Sequence, residues 1–213
     1  MNQPPFTTAI AQHIWESKYR LVTEAGIAES TPAATWERVA SAAASAEGAD
    51  RSRWQANFHD LMADLRFLPG GRILAGAGTQ RRVTLFNCFV MGLLRDEMAA
   101  IFEALKEGAL TMQEGGGVGY DFSPLRPRGT AARETANIAS GPVSFMRVWD
   151  SMCATLLSSS ARRGAMMGTL RCDHPDIEAF VDAKREPREL RNFNLSVLVT
   201  DAFMQALAVD RAW

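Results

Sequence analysis

Cysteine, histidine and tyrosine are scarce in this chain, and each scarcity narrows the chemistry. Its 213 residues include three cysteines, three histidines and two tyrosines. The cysteines, Cys88, Cys153 and Cys172, form no C-x-x-C pair. An odd, scattered set suits a reducing cytoplasm better than a disulfide scaffold, so a cytoplasmic protein is expected. Three dispersed histidines give no zinc-ligand spacing, and no metal site is predicted. There is no surplus of positive charge: 23 Lys and Arg stand against 24 Asp and Glu. That balance argues against a nucleic-acid-coating protein, because phosphate neutralisation needs a basic excess. It leaves room for a small anion held by a few local arginines. No apolar run approaches the roughly 20 residues of a membrane span. The opening MNQPPFTTAI has neither a basic n-region nor an apolar h-region, so neither a membrane partner nor a secretory signal is predicted.

What is present falls into two textures. The first third reads as helices: one from about Thr8 to Thr23 with Ile10, Ile14, Leu21 and Val22 on a face, and a second capped by Ser30 or Thr31 with Pro32 near its first position. A third follows Gly48, with Asp50 as its cap and Trp54, Phe58, Leu61 and Leu65 along it. Trp36, Trp54 and Phe58 are most simply core contacts. The texture changes at FLPGGR, residues 67–72. From there strand-like and helical runs alternate: 83–91, 98–112, 118–122, 143–157, 166–170, 177–184, 195–200 and 202–208. Strand followed by helix, four times over, is the pattern of parallel βα units. The division expected is a helical region over 1–66 and an α/β region over 67–213. Periodicity leaves open whether the four strands make a small open sheet or the start of a barrel.

Two glycine- or serine-rich loops stand out, EGGGVGY at 114–120 and SSSARRGA at 158–165. Neither is a dinucleotide fingerprint, which places G-x-G-x-x-G between a strand and a helix. Here the first loop precedes a strand, and Tyr120 occupies the third glycine position. No G-x-x-x-x-G-K-[ST] phosphate loop occurs. A glycine run lets a backbone approach a ligand closely, although a helix C-cap and tight turn would explain it equally well. Arg162 and Arg163 are ordinary solvated arginines unless the adjacent loop brings their guanidinium forks to a base or phosphate.

Read together, six segments resemble the catalytic chain of ribonucleotide reductase, and specifically its adenosylcobalamin-dependent class. They are FLPGGRILAGAGT (67–79), TLFNCFVMG (84–92), EGGGVGYDFSPLRPRG (114–129), IASGPVSFMRVWD (138–150), ARRGAMMGTLRCDHPDIEAFVDAK (161–184) and NFNLSVLVTDAFM (192–204). HIWESKYR (13–20) and TWERVASA (35–42) resemble the family's helical lead-in. The resemblance implies an α/β fold in which four parallel βα units form part of a ten-stranded barrel.

By that resemblance Cys88 is the N-terminal member of a redox cysteine pair that gives two electrons to the substrate and emerges as a disulfide. Without it, a lone cysteine in an apolar strand would be an inert core residue. Asn87, Gly116 and Gly117 match backbone and side chain beside the substrate ribose, and Arg163 matches a substrate contact. Asp96 matches the carboxylate that holds the ribose of a deoxynucleoside triphosphate effector, and Arg126 a cation near its phosphates. Residues 127–137 and 158–167 match the two effector loops, with Ser160 and Arg162 on the second. A plain helix N-cap is the simpler role for Asp96, and the two roles are compatible. Cys153 and Cys172 match no functional position and are expected to be structural.

The resemblance also implies what these residues lack. The family's radical-bearing finger loop carries a motif of the kind N-x-C-x-E, and none occurs here. The partner of Cys88, the substrate-phosphate loop and the main cobalamin-binding residues match nothing up to residue 213. The chain alone is therefore expected not to reduce ribonucleotides. Three readings follow: part of the enzyme, one subunit of a split enzyme completed by a separate chain, or a non-catalytic nucleotide-binding or dimerisation module. The resemblance also implies a homodimer, through the apolar faces of the helices at 96–112 and 143–157.

Overall fold

The helix predicted from Thr8 begins as expected, with the Thr8 hydroxyl accepting the Ala11 N–H at 3.3 Å. The computed structural model describes residues 6–131, 138–157, 166–186 and 188–212. Helix α1 spans Ala9–Ile14 and widens into a π-helical turn over Trp15–Tyr19. It does not reach Thr23. Val22–Thr23 (β1) turns back through Gly26, at φ +114°, to pair antiparallel with Gly26–Ile27 (β2). The β-branched Val-Thr pair and a glycine able to take positive φ favour the hairpin over another helical turn. Ile10 and Val22 are consequently exposed rather than parts of one buried stripe.

Helix α2 (Pro32–Ala44) starts as predicted, with Thr31 at the cap and Pro32 in the first turn. It packs against α3 (Arg51–Ala63) and the short α4 (Gly71–Gly76). Trp36, Val39, Ala40, Met62 and Leu74 form the core of this unit. Trp36 is buried as expected, whereas Trp54 and Phe58 stack on each other half-buried, ring centroids 5.5 Å apart. A charged network runs beside that core. Glu29 receives Arg38 Nε at 2.6 Å, the Thr35 hydroxyl at 2.6 Å and the Leu21 N–H at 2.9 Å. The same guanidinium donates to the carbonyls of Leu74 and Ala77, which end α4 without further helical partners.

Two compact units result, Met1–Phe86 and Asn87–Trp213. The change of texture at residue 67 comes earlier than this division, because Leu74 of α4 contributes to the helical core.

The second unit is a four-stranded parallel sheet in the order β3-β4-β5-β6, comprising Cys88–Val90, Gly117–Asp121, Met166–Arg171 and Phe193–Leu198. Helices α5 (Met98–Gln113), α6 (Pro142–Leu157), α7 (Ile177–Asp182) and α8 (Asp201–Ala208) follow the strands in turn. Alternation along the strands sends Val118, Tyr120, Met166, Leu170 and Phe193 into an apolar core with Phe122, Trp149 and Phe180. The opposite face carries Cys88, Val90, Asp121, Met167, Arg171, Asn194, Ser196 and Leu198, all exposed. The one strand shorter than predicted is β3: residues before Asn87 leave the ladder, and the Phe86 N–H bonds locally to the Thr84 hydroxyl.

Candidate redox and nucleotide-binding site

Strand β3 begins at Cys88 and β4 at Gly117, and these two residues are in register. The Gly117 N–H donates to the Asn87 carbonyl at 2.8 Å. Asn87, Cys88, Gly116 and Gly117 thus meet at the N-terminal ends of two adjacent parallel strands. The Cys88 thiol is exposed. Phe89 takes the other face, and its ring lies against Gly116: a Cβ there would fall 2.8 Å from both Phe89 Cε2 and Thr111 Cγ2. Gly116 therefore has a packing reason to be glycine that sequence reading did not anticipate. Arg163, Ser160 and Arg162 lie outside the described residues.

The other two cysteines differ in kind. Cys153 sits fully buried on α6, and burial, reinforced by the nearby Asp150 charge, pushes its thiol up to about 11. It stays protonated and is a poor nucleophile at neutral pH. Cys172 is also buried, with Sγ 3.7 Å from the Thr200 hydroxyl. Neither stands beside Cys88 in the sheet.

Asp96 and Arg126 come together at the opposite, C-terminal ends of β3 and β4. Arg126 Nε donates to Asp96 Oδ2 at 2.5 Å, and its Nη2 reaches the Asp96 carbonyl at 3.3 Å. Both side chains are about one-third exposed. Asp96 is not the helix cap, since Glu97 occupies that position and α5 starts at Met98. A carboxylate offers about four lone-pair sites, so pairing with Arg126 leaves acceptor capacity for a hydroxyl.

Two further clusters were not singled out from the sequence. At the C-terminal end of the sheet, Asp121 accepts from the Ser123 N–H and hydroxyl at 3.0 and 2.5 Å. Arg171 holds Asp173 through two bonds, at 2.9 and 2.6 Å, which lowers the Asp173 carboxyl below its ordinary range. With Leu198, Val199, Thr200 and Asp201, Asp121 and Arg171 line an open hollow of about 400 Å³. Period-two alternation in β4 and β5 was the available signal, since it places Asp121 and Arg171 on the face away from the helices. The second cluster, His174 and Asp176, lies in the turn between β5 and α7. Its sequence, DHPD, carries no recognisable chemical motif.

The described residues do not fit a corrinoid site. His174 has both ring nitrogens engaged, by the Leu125 carbonyl and the Asp176 N–H. His13 is exposed on α1, and His59 Nδ1 lies 3.4 Å from Asp60. The hollow beside Arg171 is polar and open rather than an enclosed cradle. Among the described residues, no group of three or more metal-ligating side chains is placed to hold an ion. No described helix is long and apolar enough to cross a membrane.

Comparison with known proteins agrees with this division of the chain. Residues 5–82 match the family model described as ribonucleotide reductase, all-alpha domain, and residues 86–213 match ribonucleotide reductase, barrel domain. A vitamin B12-dependent ribonucleoside-diphosphate reductase of Mycobacterium tuberculosis is 41% identical over 200 residues, covering 91% of this chain and 28% of that protein. The protein of the same description from Thermoplasma acidophilum is 41% identical over 165 residues, 77% of this chain and 21% of that one. The chain therefore spans under a third of these relatives. In fold it is similar to the class Id ribonucleotide reductase alpha subunit of Actinobacillus ureae, with a TM-score of 0.78 at 20% identity over 98% of this chain and 36% of that one. The four parallel strands with alternating helices are thus those of the barrel domain, and this chain belongs to the ribonucleotide reductase family.

Proposed function

We propose that this chain serves the reduction of ribonucleotides to deoxyribonucleotides, contributing the first redox cysteine and a deoxynucleoside triphosphate effector site to a ribonucleotide reductase. The observation that carries the reading is the exposed Cys88 thiol, in register with Gly117 at the open ends of β3 and β4. A thiol there meets a ligand from the solvent side of the sheet, while Gly117, itself buried, adds no side chain beside it. In the reaction, Cys88 and a second thiol each lose a proton and together one electron pair, forming the disulfide as the substrate's 2′-carbon gives up hydroxyl as water. Cys153 and Cys172 are buried away from Cys88, and the family resemblance assigns the second thiol to a segment of the enzyme that these residues do not match. The same holds for the thiyl-radical cysteine.

The relatives from Mycobacterium tuberculosis and Thermoplasma acidophilum are named vitamin B12-dependent, and this supports adenosylcobalamin as the cofactor of the complete enzyme. When bound, that cofactor supplies the initiating radical. This chain's own contribution is positional: it presents Cys88 and keeps the competing thiol of Cys153 protonated and inert.

The effector reading rests on Asp96 and Arg126, with Asp96 taking the deoxyribose 3′-hydroxyl and Arg126 a phosphate. Loops 127–137 and 158–167, with Ser160 and Arg162, would complete the site, and Arg163 would reach the substrate. A homodimer fits the exposed apolar side chains of α5, where Met98, Phe102 and Leu110 are about half or more exposed. Because the effector pair and Cys88 sit at opposite ends of the strands, nucleotide binding and redox chemistry are separable. That separation favours a second reading, in which the chain is a nucleotide-binding and dimerisation module, or one subunit of a split enzyme.

One experiment tests both. Deoxythymidine triphosphate is titrated by calorimetry against wild type, Asp96→Ala, Arg126→Ala and Cys88→Ser. The expected result is binding weakened by about tenfold or more in the first two variants and unchanged in Cys88→Ser. Equal affinity in all four would remove Asp96 and Arg126 from the site. In an enzyme completed by the remaining residues, Cys88→Ser should bind substrate yet fail at repeated turnover with a dithiol. Normal turnover by that variant would return Cys88 to a packing role.

A further inference from the structure

The turn joining β5 to α7 reaches back to the segment after β4 at two points. His174 is buried, and its ring bridges two backbones. Nδ1 accepts the Asp176 N–H at 3.0 Å, so the ring hydrogen sits on Nε2, which donates to the Leu125 carbonyl at 2.9 Å. Asp176 Oδ2 accepts the Arg128 N–H at 2.8 Å. Leu125 and Arg128 flank Arg126 and Pro127, and the proline ring fixes one of the torsions between them. The backbone on both sides of Arg126 is therefore held by one turn.

Asp176 also closes the base of the loop that follows. Gly141, at φ +81°, packs so closely that a Cβ there would lie 2.6 Å from Asp176 Oδ2 and 3.0 Å from Arg128 Cβ. Above that pinch the two strands of the neck bond to each other, Gly129 N–H to the Ala139 carbonyl and Ala139 N–H to the Thr130 carbonyl, both at 2.9 Å. Ala131 and Ile138 form an antiparallel bridge. Departing and returning chain meet on a single carboxylate.

We propose that His174 and Asp176 form a clasp that positions Arg126 against Asp96 and closes the neck of the loop beyond it, so that they are positioning residues for the nucleotide phosphates. The clasp acts through backbone and touches no ligand. This rests on the effector reading for its consequence, while the clasp itself concerns only residues 125–131, 138–141, 174 and 176. A freed neck would let Arg126 swing, and an arginine that must be ordered on binding gives a weaker site than one already in place.

The 213-residue chain is compared as wild type, Asp176→Asn, Asp176→Ala and Gly141→Ala by two measurements. Amide hydrogen exchange should accelerate at Arg128, Gly129 and Ala139 by about tenfold or more in Asp176→Ala and Gly141→Ala, with β5 and β6 amides unchanged. Asp176→Asn keeps an oxygen acceptor and should stay close to wild type. Deoxythymidine triphosphate should bind about tenfold more weakly to Asp176→Ala and within about threefold of wild type to Asp176→Asn. Unchanged exchange at the neck amides overturns the clasp. So does acceleration spread equally over β5 and β6, which would mean general destabilisation. Normal nucleotide binding in Asp176→Ala, where Arg126→Ala binds poorly, overturns the positioning role. If Arg126→Ala and Asp96→Ala bind as wild type, or wild type binds nothing, the effector reading fails, and exchange still judges the clasp. Should Asp176→Ala not fold, Gly141→Ala decides in its place, with faster neck exchange and about tenfold weaker nucleotide binding expected and wild-type values in either overturning that part of the proposal.

Discussion

The helical unit and the sheet unit are held together in different ways. In the first, five residues form a small apolar core, and a buried Glu29–Arg38 pair ties the hairpin, α2 and the end of α4 to it. In the second, Phe122, Trp149, Phe193 and Tyr120 meet at centroid distances of 5.4 to 6.1 Å, three of the four contacts edge-on and Tyr120–Phe122 tilted, between one face of the sheet and its helices. A small core cannot fix three short elements by burial alone, so directional bonds do so. In the sheet unit the aromatic core lies on one face, and directional bonds such as those of His174 and Asp176 sit in the turns beyond the strand ends, which leaves the other sheet face to carry polar positions.

The largest effect expected is in the sheet unit. Trp149→Ala removes a fully buried indole, touching Tyr120 and Phe122, and should cost about 3–5 kcal/mol in denaturant unfolding. A loss below about 1 kcal/mol would mean that the aromatic cluster is not the organising core. Next comes the pair in the helical unit. Glu29→Gln leaves a nearly buried guanidinium without its counter-charge and should cost about 3 kcal/mol. Exchange should accelerate in α2 and the hairpin while β4 and β5 stay protected, and an effect confined to the sheet would break the contrast.

Acid should give the smallest but most diagnostic difference. Burial by itself would raise the Glu29 carboxyl, but bonds from Arg38, Thr35 and the Leu21 N–H, with the Arg38 charge, outweigh it and leave the group below its ordinary 4.5. A carboxyl depressed on folding stabilises the fold above its unfolded value and loses that contribution as pH falls through the folded one. Exchange protection in α2 should therefore hold from neutral pH down to about 4.5 and weaken below it, ahead of protection in β4. Parallel loss in both units would show that the pair contributes little.

Much of the sheet unit was legible in its residues. Each βα repeat declared itself by length and period, and the strands predicted at 118–122 and 166–170 differ from Gly117–Asp121 and Met166–Arg171 by a residue. The hairpin was not legible, because Leu21 and Val22 keep helical spacing with Ile14 while Glu29, eight residues on from Leu21, takes the Leu21 amide. Asn87, Cys88, Gly116 and Gly117 were named from resemblance, and parallel pairing of the strands that carry them is what brings them to one place.

Sequence by itself determined the order of the βα elements, the periodicity of their buried faces, the family, and the identity of the thiol and of the charged residues. Those properties are local, written in spacing of two or of about three and a half residues and in short motifs. Tertiary structure alone decided that Cys88 is exposed while Cys153 is sealed, that Asp96 takes Arg126 rather than capping α5, and that Asp176 closes on Arg128 and Gly141. Each of these joins residues far apart in the chain, and no local pattern records which distant partner a buried or charged group will meet once the strands have paired.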